Sequence, residues 1–405
     1  MNGRFSGKKI ILGVTGCIAA YKSALILREL IKGGAEVQVV MTPSAARFIA
    51  PLTFSALSGR EVITALFPED STAGTSQNTW HIDLALWADL MVIAPASVNT
   101  IAKIAHGFAD NALTTLVTAL RSPLMVVPTA DVDMYNYKLT RENISKIESL
   151  GAYILEAEEG ELASGLTGKG RLPEIEKITD AISLVLGGRK KDYAGKKVLV
   201  TAGPTFEDID PVRFIGNRSS GKMGYALAKA AFLRGAGVTL ISGPSSEVPY
   251  QEFNLIRTHS AAEMEAAVKE QIGKNDILIM SAAVADYRPA VKAGGKIKKE
   301  DKLESIQLAE NPDILKSVSS FASTKVIVGF ALETDNAEVN AAKKLESKNL
   351  DMIVLNSANK PGAGFEHSTN EGVIIKRNGE PVEIPMMSKF DVANIILDHA
   401  AGISK

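Results

Sequence analysis

The feature that most constrains the fold is a short apolar stretch followed by a longer amphipathic one, a pair that recurs along the chain. In the first half, apolar stretches that predict strands lie at residues 9–14, 35–42, 89–95, 123–127 and 152–155. Helical spacing occurs between them, at residues 21–32, 98–106 and 138–150. Strands that alternate with helices form a mostly parallel sheet with helices on both faces. The first half therefore predicts a doubly wound α/β layer.

The same pattern restarts after residues 187–195, a polar segment bracketed by glycines that has the composition of a linker. Strands are predicted at 196–201, 237–242, 276–280, 325–330 and 351–355, and helices at 221–234, 261–272, 311–319 and 336–348. A hairpin at 372–376 and 381–384, joined through Asn378-Gly379, and a helix at 388–401 end the pattern. We expect two doubly wound, Rossmann-like three-layer α/β domains, at residues 1–186 and 196–405.

Composition excludes several classes of protein. The chain of 405 residues is long enough for two domains, and 46% hydrophobic residues supply their cores. A net charge of −1 gives no electrostatic reason to bind nucleic acid or an anionic membrane. A single cysteine, Cys17, excludes a disulfide framework, and the five histidines lack zinc-site spacing. No apolar run approaches the roughly 20 residues of a membrane helix.

Residues 8–17 allow a second interpretation. Lys8-Lys9, an apolar stretch and Val14-Thr15-Gly16-Cys17 resemble a secretory leader with a lipoprotein cleavage site. Cleavage at Cys17 would delete the first predicted strand and the turn after it, on which the following α/β pattern depends. We therefore interpret residues 9–14 as a strand and expect a cytoplasmic protein.

A turn of small residues, Gly13 to Lys22, joins the first predicted strand to the first helix. Such a turn exposes backbone N–H groups and the positive end of a helix, which suits a phosphate. It is not GxGxxG, and tight strand-to-helix packing explains it equally well. Polar residues follow the next two strands, namely Thr42 and then Ser97, Asn99 and Thr100. Ligands of α/β proteins bind at this carboxyl edge of the sheet.

With His81 in Trp80-His81-Ile82-Asp83-Leu84, these motifs resemble the flavin-containing cysteine decarboxylases, specifically the phosphopantothenoylcysteine decarboxylase domain, over residues 7–186. The resemblance implies a flavodoxin-like flavoprotein in which a cysteine is oxidised by the flavin, CO₂ is lost from the thioaldehyde, and hydride returns. It places FMN contacts at Gly16, Cys17, Ile18, Thr42, Ser97, Asn99 and Thr100. It makes His81 catalytic, and a His suits proton removal from a thiol near neutral pH. A lone His is otherwise usually structural.

Two positions depart from that family, and both are candidate catalytic residues. Asp131 stands where many members have Asn, and an ionised carboxylate would repel a substrate carboxylate unless its pKa is raised or it contacts another group. Ser164 stands where a proton-donating Cys is usual, in a Gly/Lys-rich stretch that fits a lid or simply a solvated loop. A hydroxyl is a poorer acid, so another proton donor is needed. A flavin-binding scaffold or regulator without full decarboxylase activity is the alternative for this half.

In the second half, Thr201 to Thr205 read TAGPT and Asp210 to Gly224 read DPVRFIGNRSSGKMG. Gly216 to Lys222 fit the GxxxxGK part of a P-loop, but Met223 replaces the hydroxyl that would hold Mg²⁺. The segment also follows a loop and does not leave a strand directly. We therefore do not expect a P-loop NTPase, although the turn into the helix at 221–234 suits a phosphate.

Small residues at Ser281 to Ala285 let a flat ligand approach the backbone, and Asp286 can hold a cation or a ribose hydroxyl. Lys296, Lys298 and Lys299 then follow Gly294-Gly295. A lysine run by itself is usually a solvated face. Beside a nucleotide site it predicts a clamp for developing phosphate charge.

These motifs, with Asn311-Pro312-Asp313-Ile314, Gly329-Phe330-Ala331 and Glu333-Thr334, resemble phosphopantothenate–cysteine ligase over residues 195–402. The resemblance implies that CTP activates 4′-phosphopantothenate as an acyl-cytidylate, and that cysteine then displaces CMP. Asn217 would bind the acyl-cytidylate, Arg213 would close over it, and Lys296 would favour its formation. Contacts to CTP or its Mg²⁺ would come from Ala282, Asp286, Phe330 and Lys348, with Asp286 at the metal. Phe365 would line the nucleotide pocket or belong to the core.

Together the two resemblances imply an enzyme of coenzyme A biosynthesis that works on small molecules with FMN and Mg²⁺. They also imply a homo-oligomer, with trimers of the first domain building a dodecamer and second domains pairing. A pair of Rossmann dehydrogenase domains is the competing enzyme hypothesis. It lacks GxGxxG and an acidic ribose-binding residue at the required distance.

Overall fold

The computed structural model describes residues 3–67, 79–298, 304–333, 337–357, 367–377 and 379–403. Four residues singled out above, Lys299, Thr334, Phe365 and Asn378, lie outside these ranges. Contacts divide the chain into two compact units, Met1–Lys190 and Lys191–Lys405. No helix of the described ranges is long and apolar enough to cross a membrane.

The first unit contains a five-stranded parallel sheet in the order β2-β1-β3-β4-β5. Its strands are β1 Lys9–Val14, β2 Glu36–Met41, β3 Leu90–Ala96, β4 Leu124–Pro128 and β5 Tyr153–Ile154. The helices are α1 Ser23–Lys32, α2 Pro51–Ser58, α3 Trp80–Trp87, α4 Val98–Ala105, α5 Ala112–Ala119, α6 Val132–Asn136, α7 Lys138–Ser149 and α8 Ile175–Leu186. This strand order is the flavodoxin-like one, so the predicted fold class of the first half is confirmed.

The centre of this sheet explains the continuous apolar runs of the sequence. Strand β1 pairs with β2 on one side and β3 on the other, and Ile10, Ile11 and Leu12 are all fully buried. A central strand of a parallel sheet is covered on both faces, so apolar residues do not alternate with polar ones. The strand predicted at residues 9–14 is confirmed. An antiparallel hairpin of β6 (Glu158–Glu161) and β7 (Thr167–Arg171) follows β5.

The second unit contains an eight-stranded sheet in the order β12-β11-β8-β13-β16-β17-β18-β19. Its strands are β8 Lys197–Ala202, β11 Gly237–Ser242, β12 Asn254–Arg257, β13 Ile277–Met280, β16 Val326–Glu333, β17 Met352–Ser357, β18 Thr369–Lys376 and β19 Val382–Ser388. The first six strands in this sheet order are parallel and follow the Rossmann order. Strands β18 and β19 extend the sheet beyond β17 as antiparallel strands. The predicted Rossmann-like layer of the second half is confirmed.

Helices α9 Lys222–Leu233, α10 Ala261–Ile272, α11 Ile314–Ser317, α12 Ala337–Ser347 and α13 Lys389–Ala401 complete this unit. Two small antiparallel pairs that we did not predict lie outside the main sheet: β9 Phe206–Asp208 with β10 Phe214–Gly216, and β14 Tyr287–Pro289 with β15 Leu308–Glu310.

The helix predicted at 311–319 is much shorter than expected. Only Ile314–Ser317 is α-helical, with Asp313 as its N-cap accepting from the Lys316 N–H at 3.1 Å. The residue before a proline avoids the α region, and Asn311 precedes Pro312. Asn311 is held instead by its backbone N–H, which donates to the carbonyl of Asp286 at 2.8 Å.

Candidate active sites

A cavity of about 900 Å³ lies at the carboxyl edge of the first sheet. The turns after β1, β2, β3 and β4 all contribute to its wall. They bring together the seven predicted FMN contacts and one predicted catalytic residue, which are Gly16, Cys17, Ile18, Thr42, Ser97, Asn99, Thr100 and Asp131. Residues that are far apart in the sequence therefore line one cavity, as expected for parallel strands ending at one edge.

Buried Thr15 fixes the turn after β1 against the turn after β3. Its hydroxyl donates to the carbonyl of Pro95 at 2.8 Å and accepts from the backbone N–H of Ser97 at 2.8 Å. Gly16 lies equally close to the turn after β2, because a Cβ placed on it would be 2.5 Å from the Cβ of Ser44. The three turns thus form one rigid wall that a larger side chain at Gly16 would disturb.

The only cysteine lies in the same turn. Cys17 lines the cavity, and burial raises the pKa of its thiol despite hydrogen bonds from the backbone of Ala19 and Ala20. At neutral pH the side chain is therefore a protonated thiol. Further along the wall, Lys103 is paired with Asp110, and both residues line the cavity. Lys103 could not be singled out from the sequence, because a lysine on an amphipathic helix carries no local signal.

Asp131 and Ser164 are in direct contact. The Ser164 hydroxyl donates to the Asp131 carboxylate. The β6–β7 hairpin that carries Ser164 reaches Asp131 because Gly170 packs against the preceding residue: Ala130 N–H donates to the Gly170 carbonyl at 3.1 Å. A Cβ on Gly170 would be 2.1 Å from the carbonyl oxygen of Ala130, so only glycine permits this approach. Asp131 is on the cavity wall, whereas Ser164, which is exposed, is not among the residues that line the cavity.

Glu156 holds the same hairpin from the other side. Its carboxylate accepts from the Tyr135 hydroxyl at 2.6 Å, from Arg141 at 3.3 Å and from Lys169 of β7 at 2.7 Å. Burial opposes ionisation of Glu156, but hydrogen bonds from Lys169, Tyr135 and Arg141 outweigh it and lower its pKa to about 2. The hairpin is therefore anchored by a carboxylate that stays charged through the physiological range.

His81 is not among the described residues that line this cavity. It lies in the first turn of α3, half-buried, with its ring edge-on to that of Trp80 at a centroid distance of 5.7 Å. The same helix exposes Ile82 by 38% and Leu86 by 57%. The His predicted to be catalytic thus lies beside exposed apolar side chains and not on the wall that contains the predicted FMN contacts.

A second cavity, of about 760 Å³, lies at the carboxyl edge of the second sheet. Its wall is formed by the start of α9, the loop after β13, the segment 311–315 and the end of β16. Five predicted residues are on this wall: Asn217, Ala282, Asp286, Phe330 and Lys348. Arg213 and Lys296 are not on it.

Two asparagines hold the small-residue loop after β13. The Asn217 amide donates to the carbonyls of Ala283 at 3.0 Å and Val284 at 3.1 Å. The Asn311 amide donates to the carbonyl of Ala285 at 2.8 Å. The loop that a flat ligand would approach is therefore fixed by side chains from two other segments.

Asp286 is an exposed carboxylate on the cavity wall. Within the described ranges, no group of three or more His, Cys, Asp or Glu side chains is placed to hold a metal ion. Lys348 lies nearby on the wall and pairs with Asp313 at 2.8 Å, and Lys344 lies one helical turn before it. Asp286 can hold a metal ion only together with ligands that a substrate brings.

The wall also contains a pair of lysines that our sequence analysis did not connect. Lys222 begins α9, and Lys389 begins α13 with only 6% of its surface exposed. Burial, and then the positive charge of Lys222, lower the pKa of Lys389 to about 8, while Glu247 opposes this shift. Lys222 belonged to a recognised motif, but no motif surrounds Lys389.

Two family models match the chain. "Flavoprotein" matches residues 2–187, and "DNA/pantothenate metabolism flavoprotein C-terminal domain" matches residues 193–403. The chain is similar to the "Coenzyme A biosynthesis bifunctional protein CoaBC" of Bacillus subtilis (strain 168), with 44% identity over 402 residues, covering 99% of this chain and 98% of that protein. The protein of the same name from Vibrio vulnificus (strain CMCP6) is 46% identical over 395 residues, covering 97% of each.

A third relative carries a different name. The "Cysteine/Cysteine sulfinic acid decarboxylase" of an unknown prokaryotic organism is 44% identical over 355 residues, covering 86% of this chain and 98% of that protein.

Proposed function

Because the chain belongs to the family of coenzyme A biosynthesis bifunctional proteins, we propose that its two units catalyse consecutive steps on one substrate. The protein is an enzyme with both a ligase and a decarboxylase activity. We assign the ligase to the second unit and the decarboxylase to the first. The product of the second unit, phosphopantothenoylcysteine, would then be the substrate of the first.

The ligase step uses CTP and 4′-phosphopantothenate. The pantothenate carboxylate attacks the α-phosphorus of CTP, so that an acyl-cytidylate forms and pyrophosphate leaves. The amine of cysteine then attacks the acyl carbon, and CMP leaves. The observation that carries this proposal is the wall of the second cavity, where Asn217 fixes a small-residue loop and lysines lie both at 344–348 and at Lys222 and Lys389.

Both groups of lysines would contact substrates that are strongly anionic. A nucleoside triphosphate and a phosphorylated acid bring several negative charges into one cavity, and cations on its wall stabilise that charge. Mg²⁺ would enter with the triphosphate, because Asp286 supplies only a single carboxylate. The other ligands of Mg²⁺ are usually substrate oxygens and water. Phe330 on the same wall would pack against the nucleotide or its acyl group.

The decarboxylase unit is a flavoprotein domain. The first cavity fits FMN in size, in its small-residue turn and in the hydroxyls of Thr42, Ser97 and Thr100 on its wall. FMN, when bound, supplies the acceptor and donor of hydride for oxidation of the cysteine moiety and reduction of the product. Gly16 and the residues after it line this cavity, where backbone N–H groups of a small-residue turn would bind the phosphate.

We assign Asp131 and Ser164 to the reaction as a pair. The carboxylate of Asp131 already accepts a hydrogen bond from Ser164, so part of its charge is compensated before a substrate carboxylate arrives. The two oxygens can hold one proton between them at the cavity wall. Lys169 and Glu156 keep the hairpin, and with it Ser164, against Asp131.

His81 would complete this site in a homo-oligomer. Helix α3, which carries His81, exposes Ile82 and Leu86, and the first cavity is lined by Ile18, 60% exposed, and Tyr21, 55% exposed. Apolar surfaces of this kind are typical of subunit interfaces. We propose trimers of the first unit that build a dodecamer, with second units in pairs, so that His81 of one protomer faces the FMN contacts of its neighbour. We expect the enzyme to work in the cytoplasm.

The proposal is tested with the purified holoenzyme, 4′-phosphopantothenate, cysteine and each of the four nucleoside triphosphates in turn. We expect pyrophosphate release with CTP at least tenfold faster than with the others. Asn217→Ala should abolish it, yet leave CO₂ release from supplied phosphopantothenoylcysteine unchanged, and His81→Asn should do the reverse. Release of CO₂ from free cysteine or cysteine sulfinic acid at the same rate would contradict the assigned substrate.

A further inference from the structure

The segment that carries Lys296 is fixed at both ends on the loop after β9. At its start, the Ala293 N–H donates to the carbonyl of Ile209 at 2.9 Å, and the Lys292 ammonium pairs with Asp208 at 2.7 Å. At its end, the Ile297 N–H donates to the Asp210 carboxylate at 3.2 Å. Only Gly294, Gly295 and Lys296 lie between the two attachment points, so they form a short glycine loop on a fixed base.

Asp210 is the centre of the second attachment point. Its side chain is fully buried, and it accepts from the backbone N–H groups of Val212 and Arg213 at 2.8 Å each. The Arg213 guanidinium donates to the same carboxylate at 2.9 Å and 2.5 Å. The hydrogen bond from Arg213 is the main reason why the pKa of Asp210 lies far below its ordinary value. Asp210 is thus an ionised, fully bonded carboxylate.

Arg213 contributes to the same attachment point by binding the carbonyl group of Ile297, whose N–H group binds Asp210. Its guanidinium donates to the Ile297 carbonyl at 2.8 Å, while Asp210 accepts from the Ile297 N–H. Both polar backbone atoms of Ile297 are therefore held by this one pair of side chains. Ile297 directly follows Lys296, so the pair fixes the backbone from which the lysine side chain extends.

We propose that Asp210 and Arg213 are positioning residues of the ligase, which act by holding the Lys296 loop where the lysine can serve acyl-cytidylate formation. The inference rests on the proposed function of Lys296. It changes the role of Arg213, since a guanidinium bonded to Asp210 and Ile297 is committed to the loop. A lysine behind two glycines has a wide range of positions unless its base is fixed, and misplacement of a catalytic group by about 1 Å can cost about 100-fold in rate.

The test is a double-mutant cycle on the full-length holoenzyme with Asp210→Asn and Lys296→Gln. Pyrophosphate release is followed in a single turnover with CTP and 4′-phosphopantothenate, without cysteine, and the Kd of CTP is measured separately. We expect Asp210→Asn to slow release by about 10- to 100-fold with little change in Kd. In the Lys296→Gln background the same change should have less than about a twofold effect, because the residue it positions is gone.

Three results would overturn the inference. The first is release of pyrophosphate by the Asp210→Asn enzyme at the wild-type rate. The second is an Asp210→Asn change that slows the Lys296→Gln enzyme by the same factor as the wild type, which is the behaviour of a purely structural residue. Asp208→Asn is the matched control: it removes the charge that pairs with Lys292 and contacts His259, but leaves both bonds to Ile297 intact, so an effect as large as that of Asp210→Asn would also refute a specific role. A Lys296→Gln enzyme with the wild-type rate would instead refute the proposed role of Lys296 itself.

If Asp210→Asn folds poorly, Arg213→Lys tests the same attachment point. A lysine keeps the charge but cannot bond the carboxylate and the Ile297 carbonyl together in the geometry of a guanidinium. We expect faster amide hydrogen exchange at Ile297 and a slower single turnover in this variant. Unchanged exchange and rate would overturn the proposal.

Discussion

Replacement of Gly16 by Ala should weaken the binding of FMN without unfolding the chain. The added Cβ would lie 2.5 Å from the Cβ of Ser44, 2.9 Å from its carbonyl carbon and 3.1 Å from its carbonyl oxygen. Ordinary contacts are longer by about 1 Å, so the turn after β1 or the turn after β2 must move. The backbone of Gly16 lies outside the left-handed region, so the penalty is one of contact alone. Overpacking of this kind costs about 1–3 kcal/mol.

If the displacement is taken up by the turn that faces the ligand, the same free energy appears as lost affinity. About 1–3 kcal/mol corresponds to a rise of about 5- to 150-fold in the Kd of FMN. We would titrate apoprotein with FMN and follow quenching of flavin fluorescence, together with a thermal melt. The double variant Gly16→Ala with Ser44→Gly removes the shortest contact but keeps the two backbone contacts, so it should recover only part of the affinity. Wild-type Kd and Tm in Gly16→Ala would refute the close approach of the two turns.

Two further changes test groups whose pKa values are displaced. Glu156→Gln should destabilise the first unit by about 1 kcal/mol at pH 7, a modest figure because the carboxylate is partly exposed and screened. The stabilisation by the Glu156 carboxylate is complete above its ordinary pKa of 4.5 and is lost as the pH falls toward about 2. The Tm values of wild type and variant should therefore differ at pH 7 and converge in acid. An equal difference in Tm at pH 7 and in acid would contradict this. Lys389, with a pKa of about 8, should lose its charge as the pH rises through that value, so the affinity for CTP should fall between pH 7 and 9. Lys389→Arg stays charged and should bind CTP equally at both, and a parallel fall in this variant would assign the titration to another group.

The sheets were predictable because buried parallel strands leave continuous apolar runs in the sequence. Strand β1 has Ile10, Ile11 and Leu12 fully buried, and each predicted sheet strand of the first unit was found. Local chemistry overrode the helical pattern at Asn311, where Pro312 and the bond to Asp286 delay the start of the helix to Ile314. The spacing of apolar residues in the sequence contains no information about such a tertiary hydrogen bond.

The polar segment before the second unit illustrates another limit. Its composition predicts a linker at 187–195, yet Tyr193 is fully buried and donates to the Leu397 carbonyl at 2.6 Å. Asp192 pairs with Arg234, which is 1% exposed. Both partners lie far along the chain, so a window of local composition contains no sign of them.

The candidate sites were predictable only where a motif surrounds the residue. Asn217 and Ala282 are in motifs and lie on one cavity wall, whereas Lys389 reaches that wall from the start of the last helix without a motif. His81 shows the opposite case, since its motif predicts a catalytic role but it is not among the described residues that line the cavity. Arg213 lies in a recognised motif and was predicted to close over the acyl-cytidylate. In the structure its guanidinium is bonded to Asp210 and Ile297, and these contacts cannot be read from the motif.

The proposed sequence of two reactions is tested most directly by the product that the holoenzyme forms from 4′-phosphopantothenate, cysteine and CTP in one reaction. Mass spectrometry of the products, with assays of pyrophosphate and CO₂, follows both steps at once. We expect equal amounts of pyrophosphate, CMP and CO₂, and 4′-phosphopantetheine as the final product. Accumulation of phosphopantothenoylcysteine without CO₂ would contradict the claim that both units act in sequence on one substrate.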